Sequence, residues 1–582
     1  MSCIHQFKRS IVKQLAPLTN SQDQHLLSLL RVPKQQSDGQ FFINIPKLLS
    51  TFGPDPKIDA APEQWCQRAC QQIAPTGSIQ QVMAKGPNLH FYIKPTDMTK
   101  GVLQQVYEEK DRYGWADAQP VNQTVVLDYS SPNIAKPFHA GHLRSTILGN
   151  YIKRIHRAMG YTVKDINYLG DWGKQYGLLA VGFSKYGSEA HLERDPIHHL
   201  YEVYVKINKE AEADPEIHQR ANAYFRQMER GNPEALAQWQ RFRQLSIDSY
   251  ASIYARLNIS FHEYSGESQV DSYIPKVHAQ LEAKGLLTHM DDGALAVDLS
   301  RFGLKPAIVQ RADGTSLYLT RDLAAVLLRQ DKYAFDKAIY VVGMEQQAYF
   351  RQVFACASLL TDRDPADFLH ASFGRIQGMS TRQGTAVFLQ DILDTAKDTI
   401  LDYMATKDSL SADLLDPTSA TSMDTIADQL GTSAILIQDM KAKRQKNYNF
   451  SWDRMTDTQG DTGVFLQYAH ARACGIDRRV DIPVTLDGQH WDLLKERSAF
   501  ELIQTISYFP DVVQQSFEAL EPCTIVNYLF KLSHATSYAS RHLRVLGSDP
   551  DVAKARMLLF WAARTTLHNG MSLLGMSPLD KM

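Results

Sequence analysis

Thr124-Val-Val-Leu-Asp-Tyr129, running straight into Ser130-Ser-Pro-Asn-Ile-Ala-Lys-Pro-Phe-His-Ala-Gly-His-Leu-Arg-Ser145, is the stretch on which the fold turns. Its first residues are rich in β-formers and read as a buried strand, while Leu143 to Ala158 has the apolar spacing of a helix. The turn between them carries His139, Gly141 and His142. A strand that feeds a helix through such a turn presents imidazole donors and free backbone N–H groups to an anion. The helix dipole favours negative charge at the same point. Gly141 has no side chain, so a flat base can lie against the backbone there. Far downstream, Gly378-Met379-Ser380-Thr381-Arg382 forms a second glycine-opened loop after an apolar run. Either motif alone also reads as an ordinary polar turn. Together, on one α/β chain, they suggest a nucleotide held between two half-sheets.

Working outward, Val125–Leu127, Val163–Ile166, Ala338–Val342 and Leu369–Phe373 are the expected parallel strands of a domain spanning about 119–400. A charged, helix-rich insertion at about 178–300, containing Trp239 to Leu257, should split that sheet. Residues 1–118 mix amphipathic helices with short strands such as Gln40-Phe-Phe-Ile-Asn-Ile45 and Leu89-His-Phe-Tyr-Ile93. Residues 401–582 read as helical almost throughout. Asp313-Gly314 predicts a hairpin turn. Near the N-terminus Ile4, Phe7, Ile11 and Leu15 fall at helical spacing beside Lys8, Arg9 and Lys13. That pattern fits a short mitochondrial presequence and the first helix of a folded domain equally well.

The bulk properties set outer limits. A chain of 582 residues is too long for one domain and should form two to four. With 62 basic and 64 acidic residues the net charge is −2, so any contact with RNA must come from local basic patches. Of the six cysteines only Cys66 and Cys70 are close, at i and i+4, and no second pair completes a zinc site. No metal site is expected from them; buried thiols in a reducing compartment are the simpler reading. No apolar run reaches the length of a membrane span.

The residues from Ser130 to Ser145, with Asn167-Tyr-Leu-Gly-Asp-Trp-Gly-Lys-Gln175, Tyr318-Leu-Thr-Arg-Asp-Leu323, Gly460-Asp-Thr-Gly-Val-Phe-Leu-Gln-Tyr-Ala-His-Ala-Arg472 and the closing Leu574-Gly-x-x-Pro-x-x-x-Met582, resemble the class I aminoacyl-tRNA synthetases. Within that class they resemble the arginyl-tRNA synthetase family in its eukaryotic, fungal or mitochondrial form. The resemblance runs nearly end to end. It implies a Rossmann-like catalytic domain with a helical insertion, an N-terminal α+β additional domain that touches the tRNA elbow, and a C-terminal all-α anticodon-binding bundle. The implied activity is ATP-dependent ligation of L-arginine to its tRNA through an arginyl-adenylate, with Mg²⁺ accompanying ATP. The implied partner is arginine tRNA, with no membrane and a monomeric state. A cytoplasmic location is expected, with the mitochondrial matrix or dual targeting left open.

The same resemblance assigns residues. His139, Gly141, His142, Met379, Ser380, Thr381 and Arg382 would contact ATP, and His139 and His142 would donate to phosphate oxygens in the transition state. In the second loop Gly378 and Thr381 stand where the class carries its two lysines. Lys136, just before the first motif, would supply the missing charge; Lys136→Ala should then cost far more activation than Lys153→Ala. Asp322 would grip the guanidinium with Tyr318 four residues earlier on the same helical face, and Asp128 would add a second carboxylate, acting through a water because it is shorter than the family's usual Glu. Ser131, Asn133 and Gln346 would hold the α-amino end. Lys85, Asn88 and His90 would meet the tRNA elbow, although Lys85-Gly-Pro-Asn88 departs from the family's Asn-Gly-Pro-Phe. Tyr468, Arg472 and Met582 would approach the anticodon by stacking and phosphate contacts. Lys441-Ala-Lys-Arg-Gln-Lys446, followed by Tyr448, Phe450 and Trp452, resembles the helix entering the anticodon region. Two rivals remain at this stage: another class I synthetase, against which the Tyr318/Asp322 pair argues, and a catalytically inactive tRNA-binding scaffold, for which only the lysine-poor loop speaks.

Overall fold

The computed structural model of the chain describes residues 2–33, 36–58, 61–134, 138, 140–378, 388–405, 423–452 and 460–582. The first helix, Cys3–Leu15, opens on Ser2, whose hydroxyl accepts from the His5 N–H. Ile4, Phe7, Ile11 and Leu15 are all buried, and Lys8 pairs with Asp511 far along the chain. Burying four such side chains is worth about 1.5–3 kcal/mol each, so this segment is a packed element of the fold. Behind it β1 (Phe41–Asn44), β2 (Ile79–Lys85) and β3 (Asn88–Ile93) form an antiparallel sheet in the order β1-β3-β2. The β2–β3 register closes at Lys85 opposite Asn88, and Gly86 takes the positive φ of 55° that so tight a hairpin needs.

The centre of the molecule is a five-stranded parallel sheet. Its strands are β4 (Thr124–Asp128), β5 (Thr162–Leu169) and β6 (Glu263–Gly266), then, after a small antiparallel sheet of β7 (Leu287–His289), β8 (Leu295–Val297) and β9 (Ala307–Gln310), β10 (Lys337–Tyr340) and β11 (Phe368–His370). The order across the sheet is β11-β10-β4-β5-β6, and every adjacent pair is parallel. The chain therefore runs outward from β4 in one direction and later from β10 in the other. The switch point between β4 and β10 is where such sheets open a crevice at their strand C-termini. The four expected strands all appear. The insertion between β5 and β6 is helical from Lys174–Tyr186 to Pro233–Arg256, but β6 returns from it to the sheet edge. Asp313-Gly314 forms the expected turn, with Gly314 N–H donating to Arg311 and a φ of 82°.

Past the sheet, β12 (Ile376–Gln377) pairs in parallel with β13 (Tyr448–Asn449), and the rest is helical from Met423–Met440 to Pro550–Leu573. The last helix ties back to the N-terminal part: Asn569 donates to the carbonyls of Lys110 (2.8 Å) and Tyr113 (3.0 Å), and Tyr113 Oη donates to Ile506 O at 2.9 Å. One buried apolar cluster accordingly runs from Ile4 through Leu127 to Leu567. The basic run from Lys441 to Lys446 corrects its expected role: the helix stops at Met440, and the run is a turn leading into β13. Lys153 is corrected as well. It is 3% exposed and shares the buried Asp165 with Arg157, at 3.0 Å and 2.9 Å, so its removal would disturb a buried charge network rather than serve as a mild control.

Candidate active site

A cavity of about 370 Å³ opens at the β4/β10 switch point. β4 delivers Asp128 into it, and Ser130 and Ser131 follow with φ of 73° and 51°, left-handed values that a non-glycine residue holds only under constraint. The constraint is visible. Ser130 N–H donates to Ser145 Oγ (2.9 Å) and Ser131 N–H to Asn167 Oδ1 (3.0 Å), while Ser145 Oγ donates to Val341 O (2.7 Å). These bonds stitch the turn after β4 to the following helix, to β5 and to the end of β10. Gly141 and His142, on the helix Ala140–Ala158, line the cavity, and the His142 ring packs at 5.4 Å on Phe138.

Opposite them the helix Tyr318–Tyr333 supplies Asp322 and Arg329. Asp322 is half-buried, and burial pushes its carboxyl up to about 6 although the Tyr349 hydroxyl donates to it. Asp128 also faces the cavity, but it arrives already paired: Arg329 holds Oδ2 at 2.6 Å and the Ser131 hydroxyl donates to Oδ1 at 2.8 Å. Arg329 is itself 2% exposed and lies over the rings of Tyr168 and Tyr340. Of the two expected carboxylates, Asp322 is thus the one without a cationic partner within salt-bridge distance among the described residues. Tyr318 corrects the helical-face argument. It is 77% exposed at the helix N-terminus and lies outside the cavity, while Tyr349, from the next helix, takes the place beside Asp322. Gln346 lines the mouth beside Glu345. Asn133 does not line the cavity; it bridges to Gly170, where a Cβ would meet its Oδ1 at 1.9 Å. Lys136, His139, Met379, Ser380, Thr381 and Arg382 lie outside the described residues. Tyr349, Arg329 and Glu345 went unnoticed in the sequence because each stands outside the motif blocks, and Tyr168 went unassigned although it lies within one.

A second concavity, about 800 Å³, lies among the C-terminal helices. It gathers Tyr468, Arg472 and Met582 with Arg478, Arg479 and Arg544, a cationic wall beside a 48% exposed tyrosine. The expected elbow contacts fare differently. Lys85 is paired with Asp38 at 2.6 Å, and Asn88 accepts from Asn44 Nδ2 at 2.7 Å. His90 is 6% exposed, bonded to Asp38 O at 2.8 Å and stacked on Phe42, so it is a packing residue. The reason is its position on β3, the central strand of its sheet.

An open parallel sheet with a cavity at its switch point, a helix start on one side and a carboxylate on the other is the layout of a nucleotide-dependent enzyme. Comparison with known families matches residues 102–452 to "tRNA synthetases class I (R), catalytic domain" and residues 466–582 to "DALR anticodon binding domain". The chain belongs to the class I arginyl-tRNA synthetase family. It is 41% identical to a probable cytoplasmic arginine–tRNA ligase of Dictyostelium discoideum, over 99% of this chain and 100% of the relative. It is 39% identical to a probable mitochondrial arginine–tRNA ligase of Mus musculus, over 99% of each chain. The crystal structure of arginyl-tRNA synthetase from Plasmodium falciparum shares the fold, with a TM-score of 0.81 at 21% identity and all of both chains covered. Among the described residues no helix is long and apolar enough to cross a membrane.

Proposed function

We propose that the cavity activates L-arginine with ATP and then passes the arginyl group to the end of an arginine tRNA. Aminoacylation of tRNA with arginine is the family's reaction; the residue roles are our reading of the geometry. The observation that carries it is the union, in one cavity, of a carboxylate with no cationic partner among the described residues and a helix start suited to phosphate. Asp322 would take the substrate guanidinium, held in place by Tyr349. Asp128, orientated by Arg329 and Ser131, would form the polar floor beside it. With the side chain so fixed, the substrate carboxylate points toward Gly141 and His142, where it attacks the α-phosphate and pyrophosphate leaves. Charge growing on the phosphoryl oxygens would be met by His142, by the helix N–H groups and, from segments outside the described residues, by His139, Lys136 and Met379 to Arg382. Mg²⁺ would be carried chiefly by phosphate and water oxygens. Glu345 at the mouth is the cavity acid best placed to reach such an ion, because Asp128 and Asp322 are already engaged.

We further read the chain as three parts, 1–118, 119–400 and 401–582, with the cationic concavity around Tyr468, Arg472 and Met582 facing the anticodon. Lys85 would reach a tRNA phosphate only by leaving Asp38. We favour a monomer in the cytoplasm; relatives from both cytoplasm and mitochondria leave the matrix as the second location. Arginine-dependent ATP–pyrophosphate exchange by the purified chain, with and without arginine tRNA, tests the reading. Exchange in either condition supports it, and exchange only with tRNA adds that RNA completes the site. Binding of tRNA without exchange in both would favour an inactive scaffold.

A further inference from the structure

We propose that Arg144 is a positioning residue for activation: it locks the helix bearing His142 to the strand stem that leads into Gly378, and so sets the nucleotide side of the cavity without touching substrate. The inference rests on the reading of Gly141, His142 and the Gly378–Arg382 run as the ATP side.

Arg144 stands two residues after His142 and is fully buried. Its Nη1 donates to Gly374 O at 2.5 Å and to Lys446 O at 2.8 Å, its Nε lies 3.3 Å from Asp439 Oδ1, and its guanidinium sits 5.1 Å from the centre of the Tyr448 ring. Tyr448 Oη donates to the same Asp439 oxygen at 2.9 Å. The ion pair and hydrogen bonds of Arg144 reach three segments, the stem after β11, the turn 441–447 and the helix Met423–Met440, and Tyr448 adds its ring from β13. The stem itself is pressed onto that turn. Gly374 N–H donates to Arg444 O, and a Cβ at Gly374 would meet Asn447 Oδ1 and Gln445 O at 2.7 Å. Beyond it β12 pairs with β13, and Phe450 N–H donates to Gln377 O at 2.9 Å, one residue before Gly378.

The stem also forms a wall of the site. Phe373 lines the cavity, and its carbonyl accepts from Met344 N–H at 2.9 Å. A shift at Arg144 would therefore move the stem relative to His142. The guanidinium end of the arginine side is built on the helices Tyr318–Tyr333 and Gln347–Thr361, which the bonds of Arg144 itself do not reach; the stem meets that side through the Met344 N–H, at the start of the turn that bears Gln346. A buried ion pair stabilises little over apolar packing of the same volume but fixes geometry, and a guanidinium fork spanning three segments does so in more than one direction.

The test uses the full chain with Arg144→Lys and Tyr448→Phe, measuring arginine-dependent ATP–pyrophosphate exchange under the condition in which the unaltered chain is active. A lysine keeps the charge but cannot span the three segments; the phenylalanine keeps the ion pair and removes only the bond that orients Asp439. The expected result for Arg144→Lys is a kcat/KM for ATP lowered about tenfold or more with KM for arginine within about twofold, since small misplacements of reacting groups cost that much. Tyr448→Phe should move the same constant in the same direction by less. Should Arg144→Lys fail to fold, Tyr448→Phe decides. Both KM values rising together, or no change, would overturn the inference. Absence of exchange by the unaltered chain would overturn the functional reading beneath it.

Discussion

The arginine side of the cavity and its nucleotide side handle charge by opposite means. On the arginine side, full charges are drawn from water: Asp128 is paired in advance with Arg329 at 2.6 Å, and Asp322 accepts from the Tyr349 hydroxyl and waits for a cation. On the nucleotide side the described groups are a helix start, Gly141 and the His142 ring, with partial charges spread over several atoms. The difference follows from the ligands. A guanidinium is planar, weakly hydrated and always charged, so a carboxylate withdrawn from water discriminates it sharply from shorter or neutral side chains. A triphosphate must be bound and released as pyrophosphate, which suits many modest donors. Losing one group should therefore be catastrophic on the first side and graded on the second.

The largest effect is expected from Asp322→Asn. Breaking a buried pair costs about 3–5 kcal/mol, so kcat/KM for arginine should fall by roughly 10²–10⁴ with KM for ATP nearly unchanged; an equal loss for both substrates in exchange assays would erase the contrast. His142→Asn should lower kcat by about 10², the usual cost of one transition-state donor, while leaving KM for arginine in place. Acidity should separate the two sides next. Asp322 titrates near 6 in the free protein because burial raises it, and it must be ionised to bind a guanidinium. As pH falls through that value the carboxylate is lost, so kcat/KM for arginine should drop about tenfold per unit below it while KM for ATP changes little. A profile flat down to pH 5 would refute the buried-carboxylate account. Tyr349→Phe removes a bond that lowers the Asp322 pKa, so it should move that inflection upward and weaken arginine several-fold. Tyr318→Phe should do less, given its 77% exposure; a larger effect would show that the start of its helix closes over bound arginine.

How much of this was legible beforehand varied with the kind of signal. The four strands with apolar, β-branched runs could be read, and so could the helix after Gly141. β6 could not: Glu263-Tyr-Ser-Gly266 is short and polar, and only pairing with β5 makes it a strand. β7 and β8 were hidden inside the segment that read as helix-rich, and β9, four residues long just beyond it, becomes a strand through its pairing with β8. Asp322 was found because it lies in a motif block. Its partner Tyr349 and the pair Arg329–Asp128 were not, since contacts across 27 and 201 positions leave no periodic trace. His90 was misread because a histidine in a β-hairpin looks exposed until the sheet order makes its strand the central one.

The amino-acid sequence by itself determined the family, the parallel α/β core, the helical C-terminal part and the residue types available for the chemistry, because strand and helix periodicity and short turn motifs are local properties of the chain. The tertiary structure alone decided which of those residues meet: that among the described residues Asp128 has a cationic partner and Asp322 has none, that Tyr349 rather than Tyr318 stands beside Asp322, and that Arg144 ties the helix of His142 to the stem at Gly374. Those outcomes depend on burial and on contacts between distant segments. Desolvation and pairing set the charge a side chain can offer, and neither exists until the sheet has closed around it.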